Sequence, residues 1–300
     1  MLVTLHIDTG REMRGGQWQA LYLVRGLTLR GHRARLLAPE DSPLLREAVA
    51  AGLDAGPLRI SALAGALDGV DLVHAHDARG HTLAAFCATP TVVSRRVAFP
   101  VRKGLASRWK YGRAGHYVAV SRFVKQTLVG AGVEAERISV VYDGVPVPPR
   151  SELSGERSGV VALESADPAK GKKLLEAAGA LAGIEVRFST QLAEDLLHAS
   201  AFVYITELEG LGSAALLAMA SGAVVLASSV GGLPEVVDNN VTGLLTNNDA
   251  GSIAERLQEL SRDPALCERL AAAARERIES SFTVDHMVSG MVRVYERMLN

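Results

Sequence analysis

Glu209 stands immediately before Gly210, Leu211 and Gly212 in the stretch ELEGLGSAALLAMASG, which begins at Glu207. A carboxylate accepts hydrogen bonds from the hydroxyls of a polyol, and the amides of a glycine-rich turn that opens a helix point toward an anion. Side by side, the two suit a ligand carrying a phosphate next to a sugar. Lys170, in ADPAKG, reads as the start of a helix, where a cation opposes the helix dipole. A bound phosphate gives it a reason to be there; a solvated surface lysine is the alternative. Gly15 and Gly16, in HIDTGREMRGGQWQ, let the backbone approach a ligand closely just before a helix from about Gln17. A simple tight turn is the alternative, and the spacing fits neither a dinucleotide fingerprint nor a Walker loop.

His74 and His76, in DLVHAHDARGH, lie two apart on a strand and share a face, with Asp77 next. Zinc takes three or four ligands, and no further His or Cys cluster is evident along the chain. The expectation is therefore no metal, one structural histidine, and His76 on the side of an acceptor. From Arg95 to Arg113 seven basic residues run without an acid, among them Arg95, Arg96, Arg102, Lys103, Arg108 and Lys110, with Phe99, Trp109 and Tyr111 interleaved. A solvated helix face is the plain reading. Aromatics within unbalanced positive charge fit an anionic or lipid-linked acceptor and peripheral membrane contact through residues 95–113 better, and no RNA-binding motif accompanies them to suggest nucleic acid.

The elements that must position these residues follow from periodicity. Short apolar, β-branched runs such as LVTLHID, RARLLA, LVHAH, TVVS and YVAV alternate with helical stretches, which predicts a parallel sheet covered by helices. The pattern restarts at VVALES after DGVPVPPRSELSGERSG, a proline- and glycine-rich stretch without apolar period. The expected fold class is α/β, with two Rossmann-like, doubly wound domains facing a cleft and ligands at the carboxyl ends of strands. Their expected extents are 1–146, a linker 147–158, 159–282, and a helix over 283–300 packing back on the first domain. Residues 1–150 carry 20 basic and 12 acidic side chains, and 151–300 carry 12 and 21, so the first half is the one suited to an anionic partner. Cys87 and Cys267 match no metal or redox spacing, which reads as apolar filler in a reducing compartment. No apolar run is long enough to span a bilayer, and the N-terminus enters a strand pattern directly, so a cytoplasmic protein peripheral to the membrane's inner face is expected.

Taken together, RGGQ, DLVHAH, VAVSRFVKQTL, ISVVYDGV, KG, EGLGSAALLAMASGAVVLAS and VGGLPEVVDNNVTGLL resemble the retaining glycosyltransferases of the GT-B fold, the group often called family 4, over nearly the whole chain. The resemblance implies a nucleotide-sugar donor and transfer with retention to an acceptor hydroxyl, without metal or other cofactor, in envelope polysaccharide or lipopolysaccharide synthesis. It puts Gly16 near the donor phosphates, Lys170 on the diphosphate, Glu209 on the sugar, and the Gly210 to Gly212 amides on sugar or phosphate oxygens. There are departures. The family's second glutamate is Leu217, the arginine expected near Glu164 to Ser165 is missing, a Gly-rich turn and strand after IEVRF are lacking, and the histidine expected after the fifth strand is replaced within Ser94 to Arg96. They keep open a second reading, a binding or scaffold protein on the same fold whose donor site has decayed. A third, a sugar epimerase, shares the two-domain architecture but not the EGLG to GG spacing.

Overall fold

In the computed structural model, which describes residues 1–101, 104–153, 155 and 157–300, the apolar runs form two parallel sheets, each in its own structural unit. The first unit comprises Met1–Gly144 and Val284–Asn300. Its strands are β1 (Val3–Ile7), β2 (Arg33–Ala38), β3 (Ala55–Pro57), β4 (Leu72–Ala75), β5 (Thr91–Arg95), β6 (His116–Ala119) and β7 (Ile138–Val140). Between them run α1 (Gly15–Leu29), α2 (Pro43–Ala50), α3 (Ile60–Ala66), α4 (Ala78–Ala84), α5 (Leu105–Arg113) and α6 (Arg122–Gly130). The strand order is β3-β2-β1-β4-β5-β6-β7. β4 and β6 are buried along their whole length, as strands of a parallel sheet covered on both faces must be. α1 turns Ala20, Leu23, Val24 and Leu27 into the core at helical spacing.

The second unit, Val145–Thr283, holds β8 (Val160–Leu163), α7 (Lys172–Ala182), β9 (Val186–Ser189), α8 (Leu192–Asp195), β10 (Ala201–Tyr204), α9 (Ser213–Ala220), β11 (Val224–Ser228), α10 (Leu233–Val236), β12 (Leu244–Thr246), α11 (Ala250–Arg262) and α12 (Pro264–Ser281). Its strand order is β12-β11-β10-β8-β9, so the two sheets follow the two common doubly wound orders. In such sheets the connections leave to opposite sides where the order reverses, which opens a crevice at the carboxyl ends. That point lies between β1 and β4 in the first unit and between β8 and β10 in the second.

α13 (Val284–Leu299) belongs to the first unit, where Met287, Val288, Met291, Val294 and Tyr295 enter the core beside α1. The stretch read as a linker is fastened to the second unit. Arg157 donates to the carbonyls of Leu196, Ala199 and Ser221, and Arg275 bridges the carbonyls of Pro148 and Ala220. Lys170 does not begin a helix as its sequence suggests. It ends a short 3-10 turn, Pro168–Lys170, capped by Asp167, and α7 starts only after Gly171. Gly171 has φ 66°, and a Cβ there would lie 2.8 Å from the Ile205 side chain, so a residue with a side chain could not make this turn unstrained. Among the described residues no helix is long and apolar enough to cross a membrane.

Candidate functional site

The switch point of the second sheet gathers Lys170, from the loop after β8, and Glu209, from the loop after β10. Lys170 Nζ lies 2.9 Å from Glu209 Oε2, with side chains 24% and 18% exposed. Tyr204, the last residue of β10, places its hydroxyl 2.5 Å from the same Oε2 and 3.1 Å from Nζ. The Gly210 amide donates to Glu209 Oε1 at 3.0 Å, so this N–H serves Glu209 itself, where the sequence reading gave it to a bound anion. Leu211 is a core residue, 2% exposed, and Gly212 caps α9 with φ 103°.

Backbone packing holds this turn in place. The Gly232 amide donates to the Glu209 carbonyl at 3.0 Å. A Cβ on Gly231 would sit 2.0 Å from the Glu209 carbonyl oxygen, and one on Gly232 would sit 2.1 Å from that of Gly210, so the VGG turn after β11 must be glycine to lie so close. Behind it, Ser228 Oγ receives the Thr206 amide and donates to Asn248, whose side chain donates to the Thr206 carbonyl. Beside the pair is a cavity of about 620 Å³ lined by Glu164, Ser165, Lys172, Thr206, Glu207 and Asn248 among others, though not by Lys170 or Glu209. Lys172 pairs with Glu164 at 2.8 Å and stands 4.9 Å from the Phe188 ring centre. Glu207 is exposed, and Leu217, where the family carries its second glutamate, is half-buried on α9.

The switch point of the first sheet carries a buried polar network. β1 and β4 pair in a register that sets His6 against His74, and His76 follows on the same face. The third histidine is the one the sequence search for a metal cluster missed, because pairing across strands joins residues far apart in the chain. His6, His74 and His76 offer ligand atoms within 4.8 Å of one another, yet all six ring nitrogens are engaged. Arg96 Nη1 stands 3.4 Å from His76 Nδ1, His76 Nε2 is 2.9 Å from His6 Nδ1, and His6 Nε2 is 2.9 Å from Thr4 Oγ1. His74 spans Tyr295 at 2.6 Å and Ser94 at 2.8 Å. A guanidinium only donates, so His76 Nδ1 accepts, its Nε2 carries the proton, and the donation runs Arg96 to His76 to His6 to Thr4. Burial is the largest influence lowering all three imidazoles, which holds His6 at about 3 and His74 and His76 well below the usual range; the Arg96 charge adds to this at His74 and His76. A network already satisfied by hydrogen bonds and facing a guanidinium is a poor cation site.

The carboxylates of this crevice are also committed. Asp77 caps α4 through the Arg79 and Gly80 amides and holds Thr9, tying the end of β1 to β4. Asp8, fully buried, accepts from Gln17 and the Gly10 amide, and its carboxyl is raised above the usual range, chiefly by burial. Gly15 and Gly16 form the first turn of α1, and a Cβ on Gly16 would lie 3.7 Å from Arg96 Cδ.

The residues assigned to an acceptor or membrane side differ in burial and do not form one exposed group. His76 is 5% exposed, and the Arg96 side chain, 10% exposed, pairs with Asp143 at 3.1 Å, so both are interior. Arg95 is half-buried and reaches the Phe99 carbonyl and the Tyr111 hydroxyl. Lys110 donates to the Ala78 carbonyl and Thr82, Arg108 is exposed, and Arg102 and Lys103 lie outside the described residues. The exposed part of this region is apolar as well as basic. Leu105 is 87%, Phe99 65% and Trp109 47% exposed, and Phe86, 73% exposed, brings its ring to 5.1 Å from that of Trp109. Phe86 and Tyr204 carry no local motif, and nothing short of the tertiary contacts could have singled them out.

The Glycosyltransferase Family 4 model matches residues 13–147, and the Glycosyl transferases group 1 model matches residues 155–277. An alpha-maltose-1-phosphate synthase of Mycobacterium tuberculosis is 36% identical over 115 residues, which is 36% of this chain and 30% of that protein. A D-inositol 3-phosphate glycosyltransferase of Streptomyces avermitilis is 39% identical over 106 residues, 35% of this chain and 23% of its own length. The chain thus spans less than a third of the length of these relatives. The crystal structure of Anabaena Alr3699/HepE in complex with UDP-glucose superimposes with a TM-score of 0.85 at 16% identity, covering 99% of this chain and 100% of that one. The two glycosyltransferase models thus match successive stretches of the chain, Family 4 in the first and group 1 in the second, and the fold is an α/β fold of the GT-B kind.

Proposed function

We propose that this protein transfers a sugar from a nucleoside diphosphate sugar to an acceptor hydroxyl with retention at the anomeric carbon. The observation that carries the reading is the Lys170–Glu209 pair, set at the switch point of the second sheet beside a turn fixed by Gly231 and Gly232. In this reading Lys170 supplies the positive charge for the diphosphate, Glu209 accepts from a sugar hydroxyl, and the adjoining cavity of about 620 Å³ takes the nucleoside. The bond from the anomeric carbon to the diphosphate oxygen breaks, the acceptor oxygen forms the new bond, and its proton passes to the departing oxygen. No metal is needed in this scheme, because the lysine offsets the charge that develops on the leaving group. HepE, a fold relative, holds UDP-glucose, which makes a uridine nucleotide the first donor to try.

The acceptor side is the first unit. Phe86, Phe99, Leu105 and Trp109 stand exposed beside Arg108 and Arg113, which suits an anionic or lipid-linked acceptor and peripheral contact with an anionic bilayer, as cell-envelope polysaccharide or lipopolysaccharide synthesis requires. Leu217 favours a second reading, a sugar-binding scaffold without turnover. Calorimetry with UDP, GDP and ADP, followed by transfer assays with their sugar conjugates, separates the two. Saturable binding and turnover that Glu209→Ala abolishes without unfolding the protein supports transfer. Binding without turnover supports the scaffold, and no nucleotide binding by a folded sample overturns the donor site.

A further inference from the structure

Tyr204 ends β10 with its ring in the core, 7% exposed and stacked on Phe202 with centroids 5.7 Å apart. A phenylalanine would fill that space equally well, so the hydroxyl calls for a separate reason. It closes a triangle: 2.5 Å to Glu209 Oε2, 3.1 Å to Lys170 Nζ, and 2.9 Å between those two. Burial, and after it the charge of Glu209, pushes the phenol well above its usual range, so it keeps its proton. An ammonium has no lone pair to offer. The phenol therefore donates to Glu209 and accepts from Lys170, and every bond in the triangle has one direction.

The remaining valences can be counted. An ammonium has three protons, and two are spent on Oε2 and the phenol. A carboxylate has about four acceptor positions, of which Oε2 uses two and Oε1 one, on the Gly210 amide. Among the described residues, one donor remains on Lys170 and one acceptor on Glu209. We propose that Tyr204 is a positioning residue: its hydroxyl locks Lys170 and Glu209 into one unit whose single free donor and single free acceptor take, respectively, a phosphate oxygen and a sugar hydroxyl. This rests on the donor-site reading above. A long, flexible lysine fixed before the ligand arrives loses less freedom on binding, which is the gain the phenol supplies.

The test is the reactivity of Lys170 toward acetic anhydride in the full chain without ligand, followed by mass spectrometry of the peptide that contains it. In Tyr204→Phe the ammonium loses one of its two acceptors while the ring packing is kept, and acetylation of Lys170 should rise several-fold. Glu209→Gln, which retains the phenol, should raise it as well. Neighbouring Lys172, bound to Glu164, should not change. In the same variants UDP affinity and kcat/KM should fall about tenfold or more, as for loss of a hydrogen bond to a charged group. Unchanged Lys170 reactivity in a folded Tyr204→Phe protein overturns the proposal, since a tyrosine kept only for packing predicts that result. Should wild type bind no UDP, the donor-site reading fails and with it the ligand assigned to the two free valences; should UDP bind while Tyr204→Phe leaves both affinity and acetylation unmoved, only the role of Tyr204 is lost.

Discussion

Lys170 Nζ and Glu209 Oε2 form an ion pair at 2.9 Å, although the two residues are 39 apart in the chain. Their loops follow β8 and β10, neighbours in the sheet at the point where strand order reverses. The resemblance assigned them to different parts of a donor, the lysine to its phosphates and the glutamate to its sugar. Without ligand they satisfy each other. A double-mutant cycle with Lys170→Met and Glu209→Gln should give a coupling of about 1 kcal/mol in urea unfolding, at the upper end for partly exposed pairs. Additive single effects would mean that the pair is not formed in solution.

The glycines after β11 should be intolerant of any side chain. Gly231→Ala places a methyl group against the Glu209 carbonyl and forces a left-handed φ of 57° on a residue with a Cβ, and Gly232→Ala meets the Gly210 carbonyl. Either should cost at least about 2 kcal/mol and displace Glu209. Urea unfolding measures the first effect. The second is read as loss of UDP binding under conditions where the variant is folded.

Acid should weaken the first unit well above the pH at which its own histidines titrate. His6 and His81 are held at about 3, with burial as the largest cause and, for His81, the Lys110 charge next. His74 and His76 are also held well below their usual value by burial. An unfolded chain protonates these groups near 6.5, so their stabilising effect is present above that pH and is lost on acidification below it, for His6 and His81 down toward 3. Each histidine contributes up to about 1.4 kcal/mol per pH unit across that window. Asp8, whose carboxyl is raised by burial, acts in the opposite sense and offsets part of the slope. Both tryptophans, Trp18 and Trp109, lie in Met1–Gly144, so their fluorescence in urea at pH 7 and pH 5 reports this unit alone. A midpoint that does not fall at pH 5, or a slope that His81→Asn leaves unchanged, would contradict the assignment.

Trp109 also serves as a probe of membrane contact. Vesicles containing phosphatidylglycerol should shift its emission to the blue and retain the protein on sedimentation, and phosphatidylcholine vesicles should do neither. Replacing Phe86, Leu105 and Trp109 by Ser removes most of the exposed apolar area of the patch and should lower retention about tenfold or more, with nucleotide binding unchanged. Equal retention on both vesicle types would remove the lipid from the proposal.

Sequence alone determined the alternation of strands and helices, the restart near residue 159, and the loops that carry Gly16, Lys170 and Glu209, because period and turn chemistry are local properties of a chain. Tertiary structure decided what those residues touch. The register of β1 with β4 brings His6 to His74, which turned a two-histidine motif into a directed network that starts at Arg96 and ends at Thr4, and took Arg96 and His76 out of the surface group to which their neighbours had assigned them. The adjacency of β8 and β10 joined Lys170 to Glu209 and added Tyr204, and the fold after β4 set Phe86 against Trp109. Each of these contacts joins segments distant in the chain, and their pairing is chosen by burial and strand order, which no short stretch of residues encodes.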